Sequence, residues 1–219
     1  YWREVTAVSN GNYQETHERI LKSGLAAFLE EGFEKANLRR ICKAAGVTTG
    51  AFYKHFKDKE ALFSELVEPL ASMIRKAYAQ GEKRGFAGYD EGKPVTPEQV
   101  RAALEAKAAG TLATTAMLYS HRDIYELLVF RSYGTPYEHF LDWLVDEEDR
   151  TTLRVLELIH GAEKARTVIS KESLHIVNHA FYSALSENII HAKSVEELNA
   201  TTEVISTFFN AGWEKYRTL

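Results

Sequence analysis

From Asn37 to Lys59 the chain reads NLRRICKAAGVTTGAFYKHFKDK, with six Lys or Arg against one Asp. The whole chain of 219 residues carries a formal net charge of −4, so this block is a local basic island in an acidic protein. Cations at that density attract phosphate over roughly a Debye length of about 10 Å. Thr48, Thr49, Gly50 and Ala51 are small, which permits close approach to a duplex, while Tyr53, Lys54, His55 and Lys59 can donate to phosphate oxygens. The chemistry these types allow is contact with base edges inside a ring of phosphate contacts. The alternative reading of the same residues is a solvated basic hairpin.

Other chemistries find less support. No nucleophile motif, glycine-rich phosphate loop or paired-acid motif emerges, so no catalytic residue and no cofactor is assigned. His175 and His179 stand four apart, which is metal-ligand spacing on a helix, but a third ligand is not identified. Polar core or interface histidines are the competing reading, and no metal site is assigned. The single Cys42 excludes an intrachain disulfide and a cysteine-based zinc site. It reads as a packed thiol, with a redox sensor as the alternative. One cysteine suits a reducing cytoplasm. No apolar run approaches the roughly 18 residues of a membrane span, and no signal sequence opens the chain, so a cytoplasmic protein without a membrane partner is expected. The chain begins at Tyr1, which leaves the true N-terminus open.

The elements that must position the basic block are helices. Ile20, Leu21, Gly24, Leu25, Phe28 and Leu29 form one apolar stripe, which Gly32 stops. Asn37 caps a second helix from Leu38 to about Ala45. Gly46 turns the chain, and Thr48 caps a third helix running to about His55, with Val47 and Phe52 turned to the core. Asp58 opens a fourth, striped by Leu62, Phe63, Leu66, Val67, Leu70, Met73, Ile74 and Ala77, with a kink expected at Pro69. Residues 81–97, rich in Gly and Pro, read as a loop. Further helices are expected at about 97–119, 122–132, 136–160, 171–192 and 195–217, with caps at Thr96, Thr135 and Ser194. Two helices around a tight glycine turn are the helix-turn-helix geometry, whose second helix enters the major groove.

Glu18-Arg19-Ile20-Leu21, Phe28, Glu31-Gly32-Phe33, Leu38, Ile41, Ala44-Ala45-Gly46-Val47, Gly50, Phe52-Tyr53, His55-Phe56, Lys59-Glu60 and Leu62-Phe63 resemble the N-terminal signature of the tetracycline-repressor (TetR, AcrR-type) family. The resemblance covers about residues 16–63. It implies a homodimeric transcription factor, usually a repressor, that a small ligand releases from double-stranded operator DNA. By position it implies that Thr16, at the start of helix 1, touches a phosphate. Arg39 reaches a phosphate or base edge, Thr49 and Ala51 face bases, Tyr53 and His55 clamp the backbone, and Lys59 binds phosphate. A helical interaction protein with a non-functional reader is the alternative function.

If that logic holds, the body accommodates an apolar or aromatic effector. Candidate lining residues are Met117, Tyr119, Phe130, Tyr133, Tyr137, Phe140, Trp143, Leu144, His175, His179 and Tyr182, with ordinary core packing as the alternative. The last two helices carry stripes that read as a dimer face: Leu174, Val177, Phe181 and Leu185 on one, and Leu198, Ile205, Phe208, Phe209 and Trp213 on the other. Monomer core is the other reading of those stripes. The expected fold is all-α with about nine helices. It comprises a three-helix DNA-binding domain at 1–60 (core 16–59) and a helical effector-binding and dimerisation domain at 61–219.

Overall fold

A computed structural model describes residues 2–85 and 95–219, with side chains described over 12–80 and 95–219. The fold is all-α. Ten helices lie among the described residues: α1 Trp2–Lys35, α2 Leu38–Ala44, α3 Thr49–Phe52, α4 Lys59–Gly85, α5 Pro97–Tyr119, α6 Arg122–Phe130, α7 Phe140–His160, α8 Ala162–Val168, α9 Lys171–His191 and α10 Val195–Arg217. They form two compact units.

The first unit holds residues 1–72 and 123–138, so the compact units divide the chain elsewhere than at residue 60. Residues 123–138 join this unit through specific bonds. The Phe33 N–H donates to the Arg131 carbonyl at 2.9 Å. The Tyr137 hydroxyl donates to Glu68 at 2.8 Å, and its ring lies 6.3 Å from that of Phe63. Ile20, Phe28, Ile41, Phe52, Leu62, Phe63 and Leu127 are fully buried. The α1–α4 approach is close at Gly24, where an added Cβ would stand 2.7 Å from Leu62 Cδ2.

Helix boundaries follow local chemistry, and several differ from expectation. Helix α1 begins well before Thr16, which sits inside it and accepts from Arg19 Nη2 at 3.2 Å. Gly32 breaks its regularity at φ 74, a conformation open to glycine. Helix α3 ends at Phe52 rather than near His55, because Lys54 and His55 bond to carbonyls three residues back instead of four. Helix α4 runs on through Pro69, with Met73 and Ala77 of its expected buried stripe turned outward. It also continues to Gly85, so residues 81–85 are helical, while 86–94 of the expected loop lie outside the described residues. Helix α7 starts at Phe140 because Ser132 and Thr135 close turns ahead of it. Ser132 Oγ donates to the Leu128 and Tyr137 carbonyls, and Thr135 Oγ1 to the Ser132 carbonyl. Gly161, at φ 81, then separates α7 from α8, a short helix absent from the expected nine.

The second unit holds residues 73–122 and 139–219. Helix α5 packs on α10, and α7 on α8 and α9. Thr96 and Gln99 make a complete capping box at the start of α5, and Ser194 caps α10. Val100, Leu104, Leu174 and Trp213 form one core cluster. Phe181, Leu185 and Leu198 are buried too. Five residues of the expected dimer stripes, Leu174, Phe181, Leu185, Leu198 and Trp213, are therefore interior to this unit. Helical periodicity marks a buried face without saying which chain buries it.

Within this unit Glu148 is a buried carboxylate. It accepts from Tyr78 at 2.8 Å, from Tyr182 at 3.2 Å, from Thr152 at 3.3 Å and from Lys107. Burial opposes its charge, yet Lys107 and the two phenols outweigh burial and hold the carboxyl below its usual range. Burial first, then Glu148, pushes both phenols up.

Candidate nucleic-acid interface

The reading end of the first unit is built from caps. The Asn37 side chain accepts from the Arg39 and Arg40 N–H groups at 2.9 and 3.4 Å, starting α2. Gly46 turns at φ 67, where an added Cβ would meet nothing within 4 Å. The turn closes with Val47 N–H on the Cys42 carbonyl at 2.9 Å. Thr48 Oγ1 then accepts from Ala51 N–H at 3.1 Å and starts α3. Thr48 thus spends its hydroxyl on the helix, while Gly50 and Ala51 follow in the first turn. A Cβ on Gly50 would find only Thr48 Oγ1, at 3.9 Å. The protein's own packing does not demand glycine there, so the open space lies outside it. Thr49 and Ala51 are half-buried, and Tyr53 is 56% exposed. Buried Cys42 is raised by desolvation, which fits the packed thiol.

The six cations of the block divide into two kinds. Arg40 pairs with Glu30 at 2.9 Å and with Glu31. Lys59 donates to the carbonyls of Phe33 at 2.6 Å, Glu34 at 3.1 Å and Ala36 at 3.0 Å, with its ammonium 4.4 Å from the Phe33 ring centre. All three of its donors are spent on the C-terminal end of α1, where a cation also complements the helix dipole. Lys59, expected to bind phosphate, clamps the end of α1 in this structure, and desolvation lowers its pKa. Arg39, Lys43, Lys54 and Lys57 are exposed, and none of them makes a salt bridge among the described residues. Six less two leaves four cations free for phosphate.

His55, expected to clamp the DNA backbone, is half-buried. Its ring stacks on Tyr13 at 4.1 Å and lies 5.6 Å from the His17 ring. His17 in turn stacks on Phe56 at 4.7 Å and bonds Glu65 at 2.6 Å. Burial, then His17 and Lys54, lowers the His55 pKa, so the ring is neutral near pH 7. Neutral imidazole can donate a hydrogen bond but brings no charge. Tyr13 and His17 escaped the sequence reading because only the packing of α1 beside α3 brings them near the block.

The eleven candidate effector residues divide between the two units. Phe130, Tyr133 and Tyr137 belong to the first unit, where Phe130 and Tyr133 are exposed and Tyr137 is buried. The other eight belong to the second. Tyr119 donates to the Ala192 carbonyl at 3.2 Å, and Phe140 packs on Trp143 beside buried Leu144. Tyr182 serves Glu148, while Met117 is half-buried on α5. His175 and His179 are half-buried on α9, with ring centres 6.2 Å apart. A groove of about 590 Å³ opens elsewhere, between α5 and α10, lined by Leu104, Ala108, Leu112, Ser206 and Asn210 among others, and by none of the eleven. Tyr78, Lys107 and Glu148 went unnoticed in the sequence. The one signal was a carboxylate at position 148, four residues on from Leu144 in the buried stripe of α7.

A capped helix pair about a glycine turn, with an open helix start ringed by unpaired cations, defines a helix-turn-helix module. Residues 20–66 match the profile of the bacterial regulatory proteins of the tetR family, so this module is similar to theirs. It is 53% identical over 61 residues to the HTH-type transcriptional regulator AcrR of Shigella flexneri, covering 28% of each chain. To the HTH-type transcriptional repressor AcnR of Corynebacterium diphtheriae it is 34% identical over 76 residues, covering 35% of this chain and 40% of that one. The match thus spans less than half the length of either relative. The solved structure of NalD, the secondary repressor of the MexAB-OprM multidrug efflux pump in Pseudomonas aeruginosa, aligns over 91% of this chain and 97% of its own. There the identity is 20% and the TM-score 0.49.

Proposed function

We propose that this protein is a DNA-binding transcriptional regulator of the cytoplasm, a homodimeric repressor that an apolar or aromatic small molecule releases from its operator. The observation that carries the reading is the start of α3, where Gly50 leaves open space beside exposed Tyr53 and four unpaired cations. A protein of this kind works by binding rather than turnover. Thr49, Gly50 and Ala51 face base edges, and Arg39, Lys43, Lys54 and Lys57 contact phosphate. Tyr53 and His55 meet the backbone, and Thr16 touches a phosphate.

Two recognition helices reach successive major grooves when they stand about one DNA turn apart, roughly 34–36 Å, or a multiple of it. The effector acts by binding the DNA-incompetent state more tightly. Support for a small-molecule partner comes from the groove of about 590 Å³ in the second unit, a volume in the range of ligand sites.

The test is capture of genomic fragments by the purified protein, followed by gel shift on the enriched sequence. A palindromic site retained at moderate salt supports the reading. The absence of any enriched sequence, from folded protein freed of ligand, overturns it. Gly50→Ala sharpens the test. In a helix the change should raise stability by about 0.5–1 kcal/mol, while its methyl group intrudes on the DNA face and weakens operator binding. Thermal melts and gel shifts on one preparation read both effects.

A further inference from the structure

We propose that the second unit holds a divalent transition-metal site between α7 and α9, with Asp146, Asp149 and His175 as ligands and zinc-class ions as its occupants. His175 Nδ1 lies 2.8 Å from Asp149 Oδ2 and 3.9 Å from Asp146 Oδ1. The three ligand atoms all fall within 4.8 Å of one another. In a tetrahedral site with bonds of about 2.0–2.1 Å, ligand atoms stand roughly 3.3 Å apart. Both nitrogen–oxygen distances already lie within about 0.6 Å of that spacing.

Three features distinguish the cluster from a simple hydrogen-bonded pair. First, two carboxylates converge on one imidazole nitrogen, and His175 is the only salt-bridge partner of either among the described residues. Two carboxylates converging on one nitrogen make a place that a divalent cation would fill. Second, Asn178 Nδ2 donates to Asp149 Oδ1 at 2.8 Å. Asn178 is buried, and its bond fixes one carboxylate oxygen so that the other is presented to His175, the arrangement by which outer partners orient metal ligands. Third, the ligands lie three apart on α7 and on the facing side of α9, so two packed helices hold them at fixed distance. Asp146 is 72% exposed, which leaves a path for the ion and a coordination position for water. His179 is not part of this group. Its Nδ1 faces Ser183 Oγ at 3.3 Å, and the histidine pair visible in the sequence contributes one ligand, with the other two coming from α7.

Nitrogen and carboxylate donors of this kind suit Zn²⁺ or Co²⁺ better than Ca²⁺ or Mg²⁺, which take oxygen ligands alone. Titrating the full chain with ZnCl₂ by calorimetry, and with Co²⁺ by visible absorption, tests the proposal. One equivalent per chain is expected, with d–d bands for Co²⁺. His175→Ala and Asp149→Asn should each weaken binding by at least about tenfold, and Asn178→Ala by about tenfold. Asp146→Asn, at an exposed position, should weaken it without touching the fold, while His191→Ala should leave it unchanged. Absence of binding, or binding that survives His175→Ala and Asp146→Asn in helical, folded protein, overturns the site.

Discussion

Lys59 and Lys54 are the same residue five positions apart, and the structure gives them opposite work. Lys54 is exposed and unpaired, whereas Lys59 is spent on three carbonyls at the end of α1. Replacing Lys59 by Ala should lower stability by about 1–3 kcal/mol, since it strands part-buried acceptors. It should leave the salt dependence of DNA binding unchanged. Replacing Lys54 by Ala should do the reverse, flattening the slope by about 0.9 per subunit with little effect on the melt. Chemical denaturation and binding isotherms at several salt concentrations separate the two; a flattened slope for Lys59→Ala would restore it as a phosphate ligand. His55 gives a pH signature. Burial first holds its folded pKa below the ordinary imidazole value of 6.5, so around and below that pH the unfolded chain binds more protons than the folded one. Its contribution to stability is whole above about pH 6.5 and falls as the pH drops towards the folded pKa. Melting points between about pH 7.5 and 5.5 should decline less for His55→Gln than for the parent protein.

At the scale of elements, the reader depends on how closely α1 and α4 meet. Gly24 lets them touch, because a Cβ there would drive into the fully buried Leu62. Gly24→Ala gains helix propensity but overpacks this contact, and the clash should win by about 1–3 kcal/mol. Leu62→Ala in the same chain should return part of that loss, which a double-mutant cycle of denaturation midpoints measures. Additive losses would show that the helices do not meet there. Gly50 stands in contrast: both glycines lie in helices, yet one is demanded by the protein's interior and the other faces open space. The sequence showed both as weak helix formers and could not separate them, since their difference lies in what stands opposite.

At the scale of the molecule, the proposed dimer needs an unpaired apolar face. The buried stripe residues cannot provide it, but Ile176 and Val204, each 68% exposed, and Phe208, 77% exposed, are apolar side chains turned outward on α9 and α10. Ile205, Val177 and Phe209 are half-buried behind them. If two copies share this face as proposed, Phe208→Glu should leave a monomer without lowering helicity, because it places a charge there. Sedimentation and circular dichroism check it; a dimer that survives Phe208→Glu together with Val204→Glu would place the interface elsewhere. A monomer so made should bind operator far more weakly, since two half-sites no longer act as one.

By itself, the sequence determined what is local. Asn37, Thr48, Thr96 and Ser194 start helices because a cap acts on an N–H two or three residues away, and Gly46 turns because its φ is positive. The helix-turn-helix, its charge and the all-α fold were legible for that reason. Tertiary structure alone decided which of those charges are free, which apolar stripes are core, and that Asp146 and Asp149 face His175. Lys59 meets a carbonyl 26 positions away, and Asp149 a histidine 26 positions away. No periodicity within one helix carries information over that distance, because it comes from how helices pack against each other.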